Sequence, residues 1–224
     1  MAPTTRNNTR RVLIVLFSFA EQREYATENP VKMTTKDEEP DEEPKILTVD
    51  QTASLLAHAG PDVLPTLAIG AFAGLRPSEL ARLQWHDVDF GAQLIKIMGV
   101  KGSKVKGARR RLVKIQPNLA TWLAPHCGRS GPVSCLNLRK RLEATRRAAQ
   151  ISEWPHDGLR HGFASYSLAH FNNLNALILE MGHTGSEMIF QSYRQLVTPA
   201  EAAKYWCIKP EDGDGSVLEM HTCV

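Results

Sequence analysis

Apolar positions recur at helical spacing in two consecutive blocks in the first third of the chain. The first runs through Ala53, Leu55 and Leu56, just after Thr48 and Asp50, either of which supplies a helix cap. The second covers residues 63–73 and is rich in Leu, Ala and Ile. Pro77 then falls where a first helical turn tolerates it, with Leu80 and Leu83 at helical spacing behind it. From Val88 the period changes. Residues 88–93 read as a strand and turn, 94–97 as a second strand, and 111–115, alternating polar and apolar, as a third. Residues 99–107 between the last two form a glycine- and lysine-rich turn. Helical patterning returns over 119–123, 137–150, 159–170, 173–180 and 186–191, and a short amphipathic helix over 198–206 follows. These periods predict an α+β chain, mainly helical, with a small antiparallel β-sheet built around one hairpin.

Outside this body the pattern fades. Residues 1–30 read as a single helix or as the remainder of a domain. Residues 31–46 contain the run from Asp37 to Pro44, an acidic, proline-punctuated linker expected not to pack. Ordered structure is expected over 47–208, and the polar, glycine-dotted residues 209–224 read as a disordered tail. Arg6, Arg10 and Arg11 precede an apolar run over 12–20 that superficially resembles a signal peptide, but the run is short and has no clean small-x-small cleavage site. No stretch approaches the ~18 apolar residues needed to span a bilayer, so no membrane partner is expected.

Charge sharpens the division. The whole chain carries +3, yet residues 45–208 hold 20 Lys and Arg against 11 Asp and Glu, and the remainder 7 against 13. A basic body with acidic flanks suits a polyanionic partner. The four cysteines, Cys127, Cys135, Cys207 and Cys223, have neither CxxC pairing nor a recognised histidine pattern, and read as reduced thiols of a cytosolic protein.

Tyr193 draws the polar residues into one chemistry. His183 lies ten positions before it, Arg160 23 before that histidine, and Arg76 far upstream in Gly74-Leu75-Arg76-Pro77-Ser78-Glu79. Two arginines, a histidine and a tyrosine suit attack on a phosphodiester. A tyrosine hydroxyl needs help in losing its proton, and guanidinium forks match non-bridging phosphate oxygens in charge and shape. Glu79, three residues after Arg76, is placed to orient it from the same helix face. Lys101, Lys104 and Lys106 at the hairpin tip would set flexible ammonium groups at DNA, and the run Arg109-Arg110-Arg111 beside them would contact phosphate, with part of it read as a solvated face.

Each residue has a plainer reading when taken alone. Arg76 would decorate a helix start, the lysines would be solubilising charge, His183 a structural histidine at a turn, and Tyr193 a half-buried aromatic. His156, Asp157, Arg160 and His161 share about one helical turn, which raises metal binding as an alternative. Ligands five residues apart face away from each other on a helix, and no second carboxylate cluster completes a site, so no metal is expected.

Taken together and in this order, the segments resemble the catalytic domain of the tyrosine recombinases, the phage-integrase-like enzymes, from about Leu47 to Ile208. The resemblance makes Arg76 and Arg160 the two phosphate-binding arginines and Glu79 the acidic companion. It makes Lys106 the preferred general acid, with Lys104 second, His183 the last histidine and Tyr193 the nucleophile. It implies double-stranded DNA as partner, a homo-tetramer on paired DNA sites, and no cofactor, since the energy of the broken bond is kept in a 3′-phosphotyrosyl intermediate. In such enzymes the helix after the tyrosine commonly docks on a neighbouring subunit; the plainer reading of 198–206 is packing on its own core.

Two features depart from the pattern. The family usually carries histidine or lysine three residues before the second arginine, where this chain has Asp157; His156 sits one residue earlier and is the candidate to fill the role. The family also carries an N-terminal helical domain that closes around DNA, whereas about thirty residues precede the linker here. The chain therefore reads as a truncated recombinase. A DNA-binding remnant without strand exchange, and a nicking or relaxing enzyme of the same chemistry, are the competing readings.

Overall fold

A computed structural model of the chain describes residues 1–38, 45–99, 110–182 and 197–210, and its backbone divides into two units, Met1–Glu43 and Pro44–Val224. In the first unit, α1 (Pro3–Gln22) carries a proline in its first turn, where no N–H is missed. Residues 29–38 fold back on it. Asn29 accepts a hydrogen bond from Val31 N–H and donates its own amide to the Ile14 carbonyl at 3.1 Å and the Ser18 hydroxyl at 3.0 Å. Asp37 pairs with Arg6, and Arg10 donates to the Thr34 carbonyl at 2.7 Å. The opening residues of the span read as linker, 31–38, thus have partners on α1. Polar contacts add to the burial of Val31 in holding the span.

The second unit begins with α2 (Val49–Ala57), capped by Thr48: its hydroxyl accepts from Gln51 N–H at 3.1 Å while the Gln51 side chain accepts from Thr48 N–H at 3.0 Å. Next comes α3 (Leu64–Ala73), apolar on every face and buried throughout from Pro65 to Ala73. A helix with no polar face belongs inside, and α3 is the axis of the unit. It packs against α5 (Pro117–Leu123) and α7 (Gly158–Phe171). Among the described residues the remaining α-helices of this unit are α4 (Pro77–Leu80), α6 (Leu138–Ala148), α8 (Leu174–Met181) and α9 (Pro199–Trp206). Strands β1 (Val88–Asp89), β2 (Leu94–Ile97) and β3 (Arg111–Lys114) form an antiparallel sheet in the order β1-β2-β3. The register sets Ile95 against Val113 and Ile97 against Arg111. Ile95, Ile97 and Val113 are buried, while Lys96, Leu112 and Lys114 face outward. This is the α+β, mainly helical architecture with a small antiparallel sheet that the periods predict.

The closing helix, α9, packs on its own unit. The Tyr205 hydroxyl donates to the Ala71 carbonyl of α3 at 2.6 Å, and its ring stacks on Tyr166 of α7 with centroids 3.9 Å apart. Trp206 Nε1 donates to the Tyr166 carbonyl at 3.2 Å. Burial pushes the Tyr166 hydroxyl up to about 12 and Tyr205 well above its ordinary value, so both stay protonated as donors. Cys135 and Cys207 are free thiols as expected; Cys127 is disulfide-bonded, which corrects the reading of four reduced cysteines. The helix predicted over 186–191, the lysine tip at 101–107 and the tail after Pro210 lie outside the described residues.

Candidate active site

Helix α3 ends at Gly74, whose φ of +61° turns the chain sharply. Two residues on, Arg76 occupies the N-cap of α4 in extended conformation, and Pro77 fixes the first helical position. Glu79 then lies one turn in, where its Oε2 accepts from Arg76 N–H at 2.9 Å. Because α7 packs along α3, the start of α7 is brought beside this turn. Arg160, in the first turn of α7 and only 5% exposed, donates Nη1 to the Gly74 carbonyl at 2.6 Å.

The other half of the site is the C-terminal end of α8. Helix ends leave carbonyls without intrahelical donors and carry partial negative charge, so cations gather there. Three guanidinium groups do so here. Arg111 Nε donates to the Glu180 carbonyl at 2.6 Å, Arg160 Nη2 to the Met181 carbonyl at 2.8 Å, and Arg76 Nη2 to the Gly182 carbonyl at 3.4 Å. Gly182 has φ +63°, and a Cβ there would lie 3.2 Å from Arg111 Cδ, so glycine serves both the turn and the approach of the arginine.

Glu79 ties the arginines to one another. Its carboxylate takes a fork from Arg111, Nη1 to Oε1 at 2.7 Å and Nη2 to Oε2 at 2.8 Å, and a longer contact from Arg76 Nη1 at 3.3 Å. Burial alone would raise its pKa. The Arg111 hydrogen bonds, the Arg76 N–H and the charge of both guanidinium groups outweigh burial and bring it down to about 2. The structure therefore gathers the predicted Arg76, Glu79 and Arg160.

Linkage gives a test. A carboxylate whose folded-state pKa lies below its unfolded value contributes stability that is fully present above the unfolded pKa and is lost as pH falls through the folded one. For Glu79 the window runs from the ordinary 4.5 down to about 2, a contribution of roughly 3 kcal/mol. Glu180, raised by burial against the pull of Lys114, works with opposite sign. Urea unfolding of wild type and Glu79→Gln between pH 6 and pH 2 isolates the first: the two stability curves are expected to converge by ~3 kcal/mol as pH falls.

The remaining predicted residues divide into two groups. His156 lies at the surface, its side chain 95% exposed, with Asp157 Oδ2 3.9 Å from its Nδ1. Asp157 takes the N-cap of α7 at φ +51°, and this left-handed residue separates His156 from the helix that carries Arg160. The half-buried imidazole beside Arg160 is His161, lowered by burial, with Asp157 pulling it up and Arg160 and His156 pushing it down. Arg110 is exposed immediately before β3. Lys101, Lys104, Lys106, Arg109, His183 and Tyr193 lie outside the described residues. Among the described residues no group of three or more His, Cys, Asp or Glu side chains is gathered as for a metal ion, and no helix is long and apolar enough to cross a membrane.

Arg111 belongs to the run expected to contact phosphate, but the structure turns its guanidinium onto Glu79 and the Glu180 carbonyl. A signal was present in the strand pattern: Arg111 alternates with Val113 and Ile115, which are 0% and 2% exposed, so it belongs to the inward face.

A mainly helical unit with this three-stranded sheet, and two arginines joined across the starts of α4 and α7, has the fold of an integrase catalytic domain. It superposes on a lambda integrase dimer bound to a core site with a TM-score of 0.67 and 14% identity, over 87% of this chain and 61% of that one. The Tn1549 transposon integrase bound to circular intermediate DNA gives 0.63 and 20% identity, over 91% and 79%. In sequence, the tyrosine recombinase XerC of Chromobacterium violaceum is 33% identical over 163 residues, covering 62% of this chain and 52% of the relative. That of Chlamydia muridarum is 26% identical over 212 residues, covering 82% and 65%. The chain thus spans about half to two-thirds of the length of these relatives. Residues 40–198 match the phage integrase family, and the chain belongs to that family.

Proposed function

We propose that this chain breaks and rejoins double-stranded DNA at specific sites through a 3′-phosphotyrosyl intermediate, with Tyr193 as nucleophile. The observation that carries the reading is the joining of Arg76 and Arg160 through the Met181 and Gly182 carbonyls, directly ahead of His183 in the chain. Two guanidinium groups are thereby fixed at one place, as charge building on a phosphate's non-bridging oxygens requires. In the proposed reaction Tyr193 Oη bonds to phosphorus and the bond from phosphorus to the 5′-oxygen breaks. Lys106 protonates that oxygen, and the 5′-hydroxyl departs. His183 hydrogen-bonds the phosphate or shares in proton transfer. Attack by a partner strand's 5′-hydroxyl reverses the step and seals the new junction. The exposure of His156 supports a reading in which a group other than His156 takes the tyrosine proton.

The Tn1549 integrase is bound to circular intermediate DNA and the lambda integrase to a core site, and the excess of basic residues over 45–208 supports a DNA partner here. Four chains on paired DNA sites, in a bacterial cytoplasm, complete the proposal. The test is denaturing-gel trapping of a covalent adduct on nicked duplexes from the ends of the element that carries the gene, with EDTA present. Wild type is expected to form the adduct and Tyr193→Phe to form none; an adduct that survives in Tyr193→Phe overturns the assignment of the nucleophile.

A further inference from the structure

Arg111 is a charged side chain on the inward face of a strand and only 7% exposed. Its donors are turned inward: Nε to the Glu180 carbonyl, Nη1 and Nη2 to Glu79. Glu79, itself 9% exposed, thus spends its single negative charge chiefly on Arg111, through two hydrogen bonds of 2.7 and 2.8 Å. Arg76 touches the same carboxylate with one nitrogen at 3.3 Å and keeps 31% of its side chain exposed. One carboxylate between two guanidinium groups leaves one positive charge uncompensated, and the geometry assigns that surplus to Arg76.

We propose that Arg111 is a positioning residue: it occupies Glu79 and so leaves the Arg76 guanidinium free to hold phosphate. The inference rests on the recombinase reading of the site for its consequence in catalysis, although not for its geometry. Without Arg111, the largely buried carboxylate loses its main partner, and the Arg76 guanidinium, already in contact, closes on it as a fork. An arginine held that way has lost both its net charge and its outward orientation. Glu79 would then act as an inhibitor of Arg76.

This predicts a rescue that a direct phosphate contact would not show. Binding of the full chain to a generic DNA duplex is measured across salt for wild type, Arg76→Ala, Arg111→Met, Arg111→Met with Arg76→Ala, and Arg111→Met with Glu79→Gln. Adduct formation is followed in parallel. Arg111→Met is expected to weaken binding as much as Arg76→Ala, flattening the salt slope by about one phosphate contact. Adding Arg76→Ala to Arg111→Met then costs nothing further, and adding Glu79→Gln restores most of the affinity. The rate of adduct formation falls about 10–100-fold in Arg111→Met, as for loss of a supporting residue behind a reactive group, and recovers in the Glu79→Gln double variant. Arg111→Lys, which keeps charge but not the fork, serves if Arg111→Met does not fold, and is expected to fall between wild type and Arg76→Ala. Losses from Arg111→Met and Arg76→Ala that simply add, or the absence of rescue by Glu79→Gln, overturn the proposal. A wild type that binds DNA but forms no adduct overturns the recombinase reading instead, and the binding cycle still decides the role of Arg111.

Discussion

Gly74→Ala is expected to lower the melting temperature of the chain by roughly 10 °C, although it adds a single methyl group. Two costs fall on that methyl. The residue sits at φ +61°, a backbone region that costs a side-chain-bearing residue about 1–3 kcal/mol. The new Cβ would also lie 2.2 Å from Phe163 Cδ1, inside the ring's contact distance. Phe163 is 2% exposed, so its ring has nowhere to go without displacing its neighbours, an overpacking cost of about 1–3 kcal/mol. Together these reach about 3–4 kcal/mol, and a chain of this length loses about 2–4 °C per kcal/mol. Calorimetry of Gly74→Ala, Phe163→Ala and the double variant separates the parts. The double variant is expected to be more stable than the sum of the single changes, because removing the ring removes the clash. Simple additivity would mean that the backbone, and not the ring, sets the cost. The Gly74 carbonyl anchors Arg160, so adduct formation should fall with stability.

What could be read from the sequence follows from how local each feature is. Helix α3 was legible because it is apolar around its whole circumference, so the length and the Leu, Ala and Ile content of one local run report it where periodicity does not. The strand alternation over 111–115 and the Thr48 cap were legible for the same reason: each needs only residues within one turn or one pleat. The arginine motifs could be named but not joined. That Arg76 and Arg160 meet at the Met181 and Gly182 carbonyls depends on the packing of α7 along α3 and on where α8 ends, facts more than 80 residues apart in the chain for the Arg160–Gly74 bond alone. Arg111 was obscured inside a run of three arginines, where composition says solvated charge; its alternation with Val113 and Ile115 hints at the inward face, and the register opposite Ile97 places it there. Asp157 was flagged as a departure, but its left-handed backbone, which leaves His156 outside the helix, leaves no mark in residue pattern. The contacts of residues 29–38 with α1 escaped because they are polar contacts across some 30 residues.

Arg160→Lys is expected to separate the two tasks of the most buried charge in the site. Arg160 spans the Gly74 carbonyl at 2.6 Å and the Met181 carbonyl at 2.8 Å, linking the end of α3 to the end of α8 while lying 5% exposed. Removing the side chain in Arg160→Ala leaves both carbonyls without that donor, at about 1–3 kcal/mol each. The truncated chain no longer has to desolvate a guanidinium, which offsets part of that loss. A net destabilisation of about 2–4 kcal/mol follows, or roughly 5–15 °C in melting temperature. Lysine keeps the charge and can donate to one carbonyl at a time. Its chain should therefore melt much closer to wild type than Arg160→Ala does. Chemistry should not recover in step, because an ammonium cannot hold α3, α8 and a phosphate oxygen together as a planar fork does. Loss of one preorganised donor to the transition state costs about 10²–10³ in rate. The expected result is a folded Arg160→Lys protein that binds duplex DNA yet forms adduct at least about 10²-fold more slowly than wild type. A lysine variant with wild-type adduct rates would show that Arg160 supplies charge alone, and that its two carbonyl anchors belong to the fold and not to the reaction.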